Sequence, residues 1–405
     1  MAQNTTSGGA PPSSKPPVGL MFMTTIVVMS PPPPPRSVPT TLMGMTDQTF
    51  LRYLFAHSTG TRAEIARATR ISKPTISGSA ARLTAAGLII EAGETPAQGR
   101  GRRAMIYRIN PDYGHVSAVV LERRHLVVRS LDFCGELRWE QRSTTDLTFS
   151  EGIDWARRQL AVAATYLDTP CRAATISVAA PVDPKTGAVQ PMAGAPLGGF
   201  VPDITTDLGL ADVPLVRVDN DVNWSARAEA TDPDEDPDRS FLYVYLGAGI
   251  GGALVSEGTV IRGANGAAGE IGFLRTPKGT TLHAELSSLS FGSPDHSSID
   301  IDLALAAFQD PDNDEARYAT ELLSQSVLDA ATVFDPGTIV LSGPLSAAEL
   351  LVERLCTTIE AGRIAPVTVV RGRADDELLV TGVSRHAVHD AWDATLKSVA
   401  TVAQD

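Results

Sequence analysis

The chain has 405 residues and a formal net charge of −13, and 43% of its residues are hydrophobic, as in a folded globular protein of about two or three domains. Its three cysteines, Cys134, Cys171 and Cys356, lie far apart and form no CxxC pair, which excludes a cysteine zinc site and a disulfide framework. Unpaired cysteines are typical of a reducing compartment, so we expect a cytoplasmic protein.

The charge is unevenly distributed along the chain. Residues 1–42 carry +2 and residues 43–112 carry +5, which leaves −20 for residues 113–405. A small basic module fused to a large acidic body indicates that only the module meets a polyanion such as DNA.

Residues 1–42 are rich in proline, serine and glycine, and we expect a disordered tail because such a composition builds no packed core. The apolar stretch VGLMFMTTIVVM within the tail is only twelve residues long, whereas a membrane-spanning helix needs about 20. We therefore expect no membrane association. A start at Met43 or Met45 is an alternative to the printed one.

Residues 43–112 predict a winged helix-turn-helix. An amphipathic helix over TDQTFLRYLFAHS places four apolar side chains on one face: Phe50, Leu51, Leu54 and Phe55. Thr61 and Glu64 have the spacing of a capping box, and they open a second, short helix with Ile65 and Ala68 facing inward.

A third helix and a hairpin complete this pattern. Ser72 is suited to cap the helix, Pro74 is harmless in its first turn, and Gly87 ends it. Its buried stripe is predicted to be Ile76, Ala80 and Leu83. Residues 88–91 and 104–109 then read as two antiparallel strands, which form the wing.

The third helix and the tip of the wing carry the candidate DNA contacts. The outer faces of the helix would offer Ser72, Lys73, Thr75, Ser77, Ser79 and Arg82 to phosphates and base edges in the major groove. The tip, QGRGRR, adds Arg100, Arg102 and Arg103 on a glycine frame that suits a narrow minor groove or a phosphate clamp. A solvated turn with accidental charge is the alternative for the tip.

After Tyr113 short apolar strands alternate with helical stretches such as GIDWARRQLAVAATYL and EARYATELLSQSVLDAATVF. This alternation favours an α/β architecture with two lobes. Between two of the strands lies GAGIGG, which is typical either of a phosphate-binding loop or of a tight strand connection.

Three stretches resemble the ROK family of repressors, open reading frames and sugar kinases: VDNDVNWSARAEA, GAGIGGALVSEGTVIRGANGAAGEIGF and DPGTIVLSGPLS. The resemblance implies an actin-like, hexokinase-type fold with a sugar bound between two lobes, usually in dimers or tetramers. We expect lobe 1 over residues 113–218, completed by residues 388–405, and lobe 2 over residues 219–387.

The resemblance also implies the ligand-binding residues. Asn220 and Asp221 match a pair that holds the sugar in family kinases, where the aspartate is the general base. Glu270 matches a glutamate that binds sugar hydroxyls, and Glu285 matches loosely the glutamate that ends the family's zinc loop. The alternative for NDVN is a helix cap.

The sequence departs from the family pattern where phosphate and zinc would bind. The first strand ends in ERRH instead of an Asp-x-Gly-x-Thr phosphate loop, the sugar-binding asparagine is missing from MAGAPLGG, and Phe273 replaces a zinc-binding histidine. A phosphate loop needs backbone N–H groups that glycines leave accessible. We therefore expect no kinase activity, no metal and no cofactor, and we interpret GAGIGG as a tight strand connection.

The favoured interpretation is a DNA-binding regulator, a homodimer or homotetramer, that represses transcription and senses a sugar or sugar derivative. Two alternatives remain open: an ATP-dependent sugar kinase that carries a DNA-binding domain, and a DNA-binding protein whose body is an oligomerisation scaffold without a ligand.

Replacement of Arg100 and Arg102 by alanine should weaken DNA binding and flatten its salt dependence, because each lost phosphate contact removes about one unit of slope in log affinity against log salt. A filter-binding titration at several salt concentrations measures both quantities. An unchanged affinity and slope would refute the interpretation of QGRGRR as a DNA-contacting wing.

Overall fold

The structure is a computed structural model that describes residues 44–95, 103–122, 125–190, 203–230, 239–373 and 376–401, all within one structural unit. The predicted tail of residues 1–42 lies outside the described residues, as do Arg100, Arg102 and the stretch MAGAPLGG. Among the described helices, none combines the length and the hydropathy that crossing a bilayer requires.

The N-terminal module consists of three helices and a three-stranded antiparallel sheet. Its elements are α1 (Met45–His57), β1 (Thr59–Thr61), α2 (Arg62–Thr69), α3 (Lys73–Ala85), β2 (Ile89–Glu94) and β3 (Met105–Ile109), with β3 in the centre of the sheet. The local signals are confirmed: Thr61 and Glu64 form the predicted capping box, and the Ser72 hydroxyl accepts a hydrogen bond from the Thr75 amide. In α2, however, Ala66 is buried and Ala68 is exposed, so the prediction for Ala68 is wrong.

The next part of the chain forms a five-stranded mixed sheet with helices on both faces. Its elements are β4 (His115–Glu122), β5 (His125–Asp132), β6 (Leu137–Ser143), α4 (Phe149–Leu167), β7 (Cys171–Val178), α5 (Ile204–Asp207), β8 (Val216–Asn220) and α6 (Asp221–Ala230). The strand order is β6-β5-β4-β7-β8, in which β4, β7 and β8 are parallel and β5 is antiparallel to both of its neighbours, β4 and β6. Helix α4 packs on one face through a core that includes Ile153, Ala156 and Ile176.

A second mixed sheet of five strands follows, in the order β11-β10-β9-β12-β13. Its elements are β9 (Phe241–Leu246), β10 (Ile250–Ser256), β11 (Thr259–Ile261), α7 (Leu282–Ser287), α8 (Ile301–Gln309), α9 (Asp314–Phe334), β12 (Thr338–Ser342), α10 (Glu349–Gly362) and β13 (Thr368–Arg371). The largest core cluster lies between this sheet and α8, α9 and α10. Helix α6 packs against β10 of this sheet as well as against β7 and β8 of the first.

The last helix, α11 (Asp376–Thr401), returns to the first sheet and packs against β4, β5 and β7 on the face opposite α4. Along its length it contacts α6 and, further on, α1 of the N-terminal module. Close approach of α6 and α11 requires Gly382, since a Cβ atom there would lie 2.8 Å from the Trp224 carbonyl oxygen. One helix therefore contacts the first lobe, the start of the second and the module.

Trp392 is the centre of the contact between α11 and the module. Its ring lies 4.8 Å from the ring of Phe55 on α1 and 4.9 Å from that of Phe133, and its indole N–H donates to the Phe133 carbonyl at 3.0 Å. Gln48 on α1 donates to the carbonyl of Leu396 at 2.8 Å. The core of the module is therefore continuous with that of the first lobe.

Replacement of Trp392 by alanine should lower the free energy of unfolding by about 3–5 kcal/mol, because the indole is 3% exposed and its loss leaves a large cavity. Urea denaturation followed by circular dichroism measures the change. The control is Val333→Ala on α9, whose side chain is 77% exposed and should change stability by less than about 0.5 kcal/mol. Equal effects of the two substitutions would contradict the described packing.

Candidate functional sites

The predicted DNA-contacting residues of α3 are partly accessible. Ser72, Lys73 and Thr75 are exposed at the start of the helix, and Ser77 is half-buried. The Ser72 hydroxyl caps the helix and also lies 2.7 Å from that of Thr75, so these two hydroxyls are already engaged with each other. Lys73 is the cation that α3 presents to solvent at this end.

Two predicted contacts of α3 pair with an acid inside the module: Ser79, which is buried and whose predicted DNA contact is corrected, and Arg82, whose side chain remains 39% exposed. Ser79 is 0% exposed, and its hydroxyl donates to the carboxylate of Asp47. The guanidinium of Arg82 forms a two-point ion pair with the same carboxylate, with Nε at 3.0 Å and Nη2 at 2.6 Å. Both side chains pair with Asp47, a buried acid on α1. Helical periodicity within α3 does not indicate this pairing.

Basic residues that the sequence analysis did not select lie beside α3. Arg62 and Arg67 on α2, and Arg70 at its end, are exposed. Arg103 is exposed near the wing, and its guanidinium lies 3.6 Å from Glu94, an exposed ion pair that contributes little energy and leaves Arg103 accessible. The surface formed by α2, the turn and α3 is therefore mainly positive.

Asn220 and Asp221 lie where β8 ends and α6 begins. The Asn220 side-chain oxygen accepts hydrogen bonds from the amides of Val222 at 2.9 Å and Asn223 at 3.3 Å, so Asn220 caps α6, which is the alternative left open by the sequence. Its amide group lies 3.4 Å from the Ala180 carbonyl oxygen, to which it donates.

Asp219, which the sequence analysis did not select, fixes this turn. Its carboxylate is 3% exposed and accepts from the side-chain amide of Asn223 at 2.9 Å and from Arg262 Nε at 2.6 Å. Arg262 belongs to the motif RGANGAAGEIG, so the bond ties the two most family-like stretches together. The two motifs are brought together only in the tertiary structure, so the spacing of residues within either motif does not indicate their contact.

Three carboxylates meet near the start of α6. Burial raises the pKa of Asp221 well above its usual range, and the charges of Glu122 and Glu270 raise it further. Burial also raises the pKa of Glu270. Glu122 ends β4 and pairs with His125 across the hairpin, where the two side chains lie 3.6 Å apart. The site therefore disfavours additional negative charge.

Glu122, His125 and Asp221 line one cavity of about 60 Å³ at the carboxyl ends of the strands. Its opposite wall consists of Tyr243, Tyr245, Ser342, Gly343, Pro344 and Arg373. A cavity of this size accommodates a few water molecules.

The glycine cluster GAGIGG forms the connection between β9 and β10, where the Gly247 amide donates to the Gly249 carbonyl at 3.0 Å. Gly252 in β10 lies against the loop that carries Glu270. A Cβ atom on Gly269, whose φ is +91°, would lie 2.3 Å from the Gly252 carbonyl oxygen. Gly252 and Gly269 therefore permit a close approach of backbone to backbone, whereas a Cβ atom on Gly249 would meet nothing within 4 Å.

Glu285 belongs to a different network, and its predicted role as a ligand-binding residue is corrected. Its carboxylate is 4% exposed and accepts from Thr276 and Thr280, from the Tyr318 hydroxyl at 2.7 Å and from Lys278 at 2.6 Å. Burial alone would raise the pKa of Glu285, but these donors hold it at about 2. All of its oxygens are thus used to anchor the loop before α7.

Phe273 lies where the family resemblance implied a zinc-binding histidine, and His283, which follows further along the chain, has the spacing of an ordinary loop histidine. The imidazole of His283 contacts the Ser297 carbonyl oxygen at 3.0 Å, and Phe273 is 38% exposed. Within the described ranges, no group of three His, Cys, Asp or Glu side chains could hold a metal ion.

The raised pKa of Asp221 has a consequence for stability. A carboxyl group with a higher pKa in the folded state binds more protons there, so its contribution to stability is complete at low pH and is lost as pH rises through the folded-state pKa. We expect Asp221→Asn to stabilise the protein by about 1 kcal/mol or more at pH 7, and to have little effect near pH 3, because asparagine removes this loss.

Glu285→Gln is the matched comparison, because the pKa of Glu285 is lowered in the folded state. The ionised Glu285 therefore stabilises the protein above the unfolded-state pKa, and this stabilisation is lost as pH falls towards about 2. We expect the substitution to destabilise the protein by about 1–3 kcal/mol at pH 7. Thermal unfolding of both variants across this pH range measures the two opposite trends. A destabilising Asp221→Asn at pH 7 would contradict the described crowding of carboxylates.

Comparison with known proteins agrees with this geometry. A model of the ROK family matches residues 130–284. A proposed xylose repressor of Caldicellulosiruptor sp. (strain Rt8B.4) is 27% identical over 55% of this chain and 57% of its own length. The N-acetyl-D-glucosamine kinase of Vibrio cholerae serotype O1 (strain ATCC 39315) is 30% identical over 38% of this chain and 58% of its own length. The chain thus spans little more than half of these curated relatives.

A solved structure covers more of the chain. A ROK family transcriptional regulator described as a homologue of the E. coli MLC protein superposes with a TM-score of 0.59 over 89% of this chain and 100% of its own, at 16% identity. At that identity the likeness concerns the fold alone. The sequence likeness to the ROK family thus covers residues 130–284, and the two sheets have the actin-like α/β fold of a ROK transcriptional regulator and a ROK hexokinase.

Proposed function

We propose that this protein is a DNA-binding transcriptional regulator whose two-lobed body senses a sugar or sugar derivative and does not phosphorylate it. The observation that carries the proposal is the pair of carboxylates, Glu122 and Asp221, that line the same cavity. Glu122 ends the strand after which the kinases resembled by this sequence have their first phosphate loop.

Phosphoryl transfer requires groups that stabilise the negative charge of the transferred phosphate. In this cleft the charge of Glu122 acts on Asp221 strongly enough to raise its pKa, and it would act unfavourably on a γ-phosphate at the same place. Arg373 lines the cavity too, but one guanidinium does not reproduce a glycine-rich cradle of backbone N–H groups. The cleft favours a neutral polyol over a nucleotide.

The N-terminal module supplies the DNA-binding part of the proposal. Helices α2 and α3 with their short turn have helix-turn-helix geometry, and the sheet β1-β3-β2 supplies the base of the wing. The exposed cations of this surface are Arg62, Arg67, Arg70, Lys73 and Arg103. They provide the sequence-independent attraction to phosphate on which specific base contacts depend.

Helix α11 gives a physical route between the two parts. Asp221 is the first residue of α6, α6 packs on α11, and α11 reaches α1 through Trp392 and Leu396. A sugar that binds in the cleft shifts a conformational equilibrium by its differential affinity for the two states. In a dimer or tetramer, a small rotation of two modules would break the fixed half-site spacing.

The test begins with selection of duplexes by the purified protein from a random-sequence library. Affinity for the selected duplex is then measured with and without a panel of sugars, amino sugars and sugar phosphates, for the wild-type protein and for Asp221→Asn. We expect one class of neutral sugar to change the affinity about 5- to 150-fold, and Asp221→Asn to abolish that response while it keeps DNA binding. Failure to select any sequence would refute the proposal.

A sugar kinase is the second candidate, because N-acetyl-D-glucosamine kinases are among the relatives of this chain. The raised pKa of Asp221 also suits a general base near neutral pH. A coupled assay of ADP release with the same sugars and Mg-ATP distinguishes the candidates. Sustained turnover that Asp221→Asn abolishes would establish the kinase, and turnover no faster than that of the variant would support the regulator.

A further inference from the structure

We propose that Asp47 is a positioning residue for DNA recognition, and that Arg82 acts through Asp47 instead of on DNA. The proposal rests on the proposed function, because it assumes that α3 is the helix that enters the major groove. It concerns the contact between α1 and α3 inside the module, which no family motif or sequence pattern indicated.

The geometry is that of a three-point anchor. The carboxylate of Asp47, in the first turn of α1, is 0% exposed. One of its oxygens accepts from the Ser79 hydroxyl and from Arg82 Nη2 at 2.6 Å, and the other accepts from Arg82 Nε at 3.0 Å. Ser79 and Arg82 are three residues apart on α3, so they lie on the same face of that helix.

Such an anchor restricts movements that apolar packing alone permits. Around it, α1 and α3 meet through apolar side chains, whose attraction is not directional, among them Phe50, Leu54, Ile76 and Leu83. Arginine and carboxylate pair in a planar, two-bond geometry, and a buried carboxylate is tolerated only while that pairing is intact. Asp47 therefore fixes both the position of α3 along its axis and its rotation about it.

Rotation of α3 matters because its outward residues must meet base edges. Lys73 and Thr75 are exposed on the first turn of α3, and Ser77, which is half-buried, follows on the next turn. Recognition requires such groups to be held within about 0.5 Å of their productive positions. A helix released from Asp47 keeps its attraction to phosphate, but it loses discrimination between sequences.

The test compares four variants on two duplexes: one selected by the wild-type protein from a random-sequence library, and a scrambled version of it. The variants are Asp47→Asn, Arg82→Met, the double variant and Lys73→Met. Methionine keeps the aliphatic stem of arginine or lysine without the charge. Affinity is measured as a function of salt, and thermal unfolding of each variant checks that the module is folded.

We expect Asp47→Asn and Arg82→Met each to lower the affinity ratio between the selected and scrambled duplexes about tenfold, with no change in salt slope. The double variant should lose no more than either single variant, because both act on one contact. It also removes the unpaired buried carboxylate that Arg82→Met leaves, so it stays informative if that variant unfolds. Lys73→Met should flatten the salt slope.

The proposal would be overturned if the losses in affinity ratio of Asp47→Asn and Arg82→Met added in the double variant. It would also be overturned if Arg82→Met flattened the salt slope as Lys73→Met does, because Arg82 would then contact DNA itself. An unchanged affinity ratio in the folded double variant would overturn it as well. If the wild-type protein selects no duplex, the proposed function itself fails and the inference fails with it. If it selects one that Lys73→Met does not affect while Asp47→Asn does, the anchor stands and Lys73 alone is misassigned.

Discussion

Packing of α11 across the rest of the molecule is the constraint on which the arrangement of the other parts depends. Its middle contacts α6 at Gly382 and Trp224, and its end contacts the module at Phe55 and Gln48. The stacked rings of Trp392 and Phe133 join the module to the first sheet through one core. The module is thus held against the body instead of hanging from it on a linker.

This packing connects the cleft mechanically to the surface that is proposed to bind DNA. The residue with the most perturbed carboxyl group in the cleft, Asp221, begins the helix that lies on α11. A change at the start of α6 is therefore transmitted to a helix that also contacts α1. A regulator needs such a connection, whereas a kinase needs only that the two lobes close on each other.

Electrostatics distinguishes the two glutamates that resembled ligand-binding positions. Glu270 lies near Asp221 and Glu122, where burial without a cation raises its pKa. Glu285 is surrounded by donors and has a pKa of about 2. The surroundings of Glu270 supply few hydrogen-bond donors, so its carboxylate suits the hydroxyl groups of a ligand. The carboxylate of Glu285 already has donors for both oxygens.

Local signals in the sequence were sufficient for most elements of the fold. The capping box of Thr61 and Glu64, the cap at Ser72 and the boundaries of α3 and α9 depend on residues within a few positions of one another. The pairing of Ser79 and Arg82 depends on Asp47, which lies more than thirty positions earlier, so helical periodicity within α3 did not indicate it. Glu285 was misassigned for the same reason, because its donor Tyr318 lies 33 positions away.

The cleft around Asp221 shows the same limit. Asn220, Asp221 and Glu270 were selected through a family resemblance, and the cap formed by Asn220 follows from its place before α6. Asp219 was missed because its importance depends on Arg262, and the crowding of Glu122 against Asp221 depends on two strands that only the folded sheet brings to one edge. Long-range electrostatic pairs have no periodic signature in a sequence.

The central claim is that the body binds a sugar without ATP. The most direct test is a thermal-shift measurement of the wild-type protein with sugars, amino sugars and sugar phosphates, each in the presence and absence of Mg-ATP. A ligand that binds only the native state raises the melting temperature by mass action. The account predicts that a sugar raises it equally with and without Mg-ATP, and a shift that appears only with Mg-ATP would contradict it.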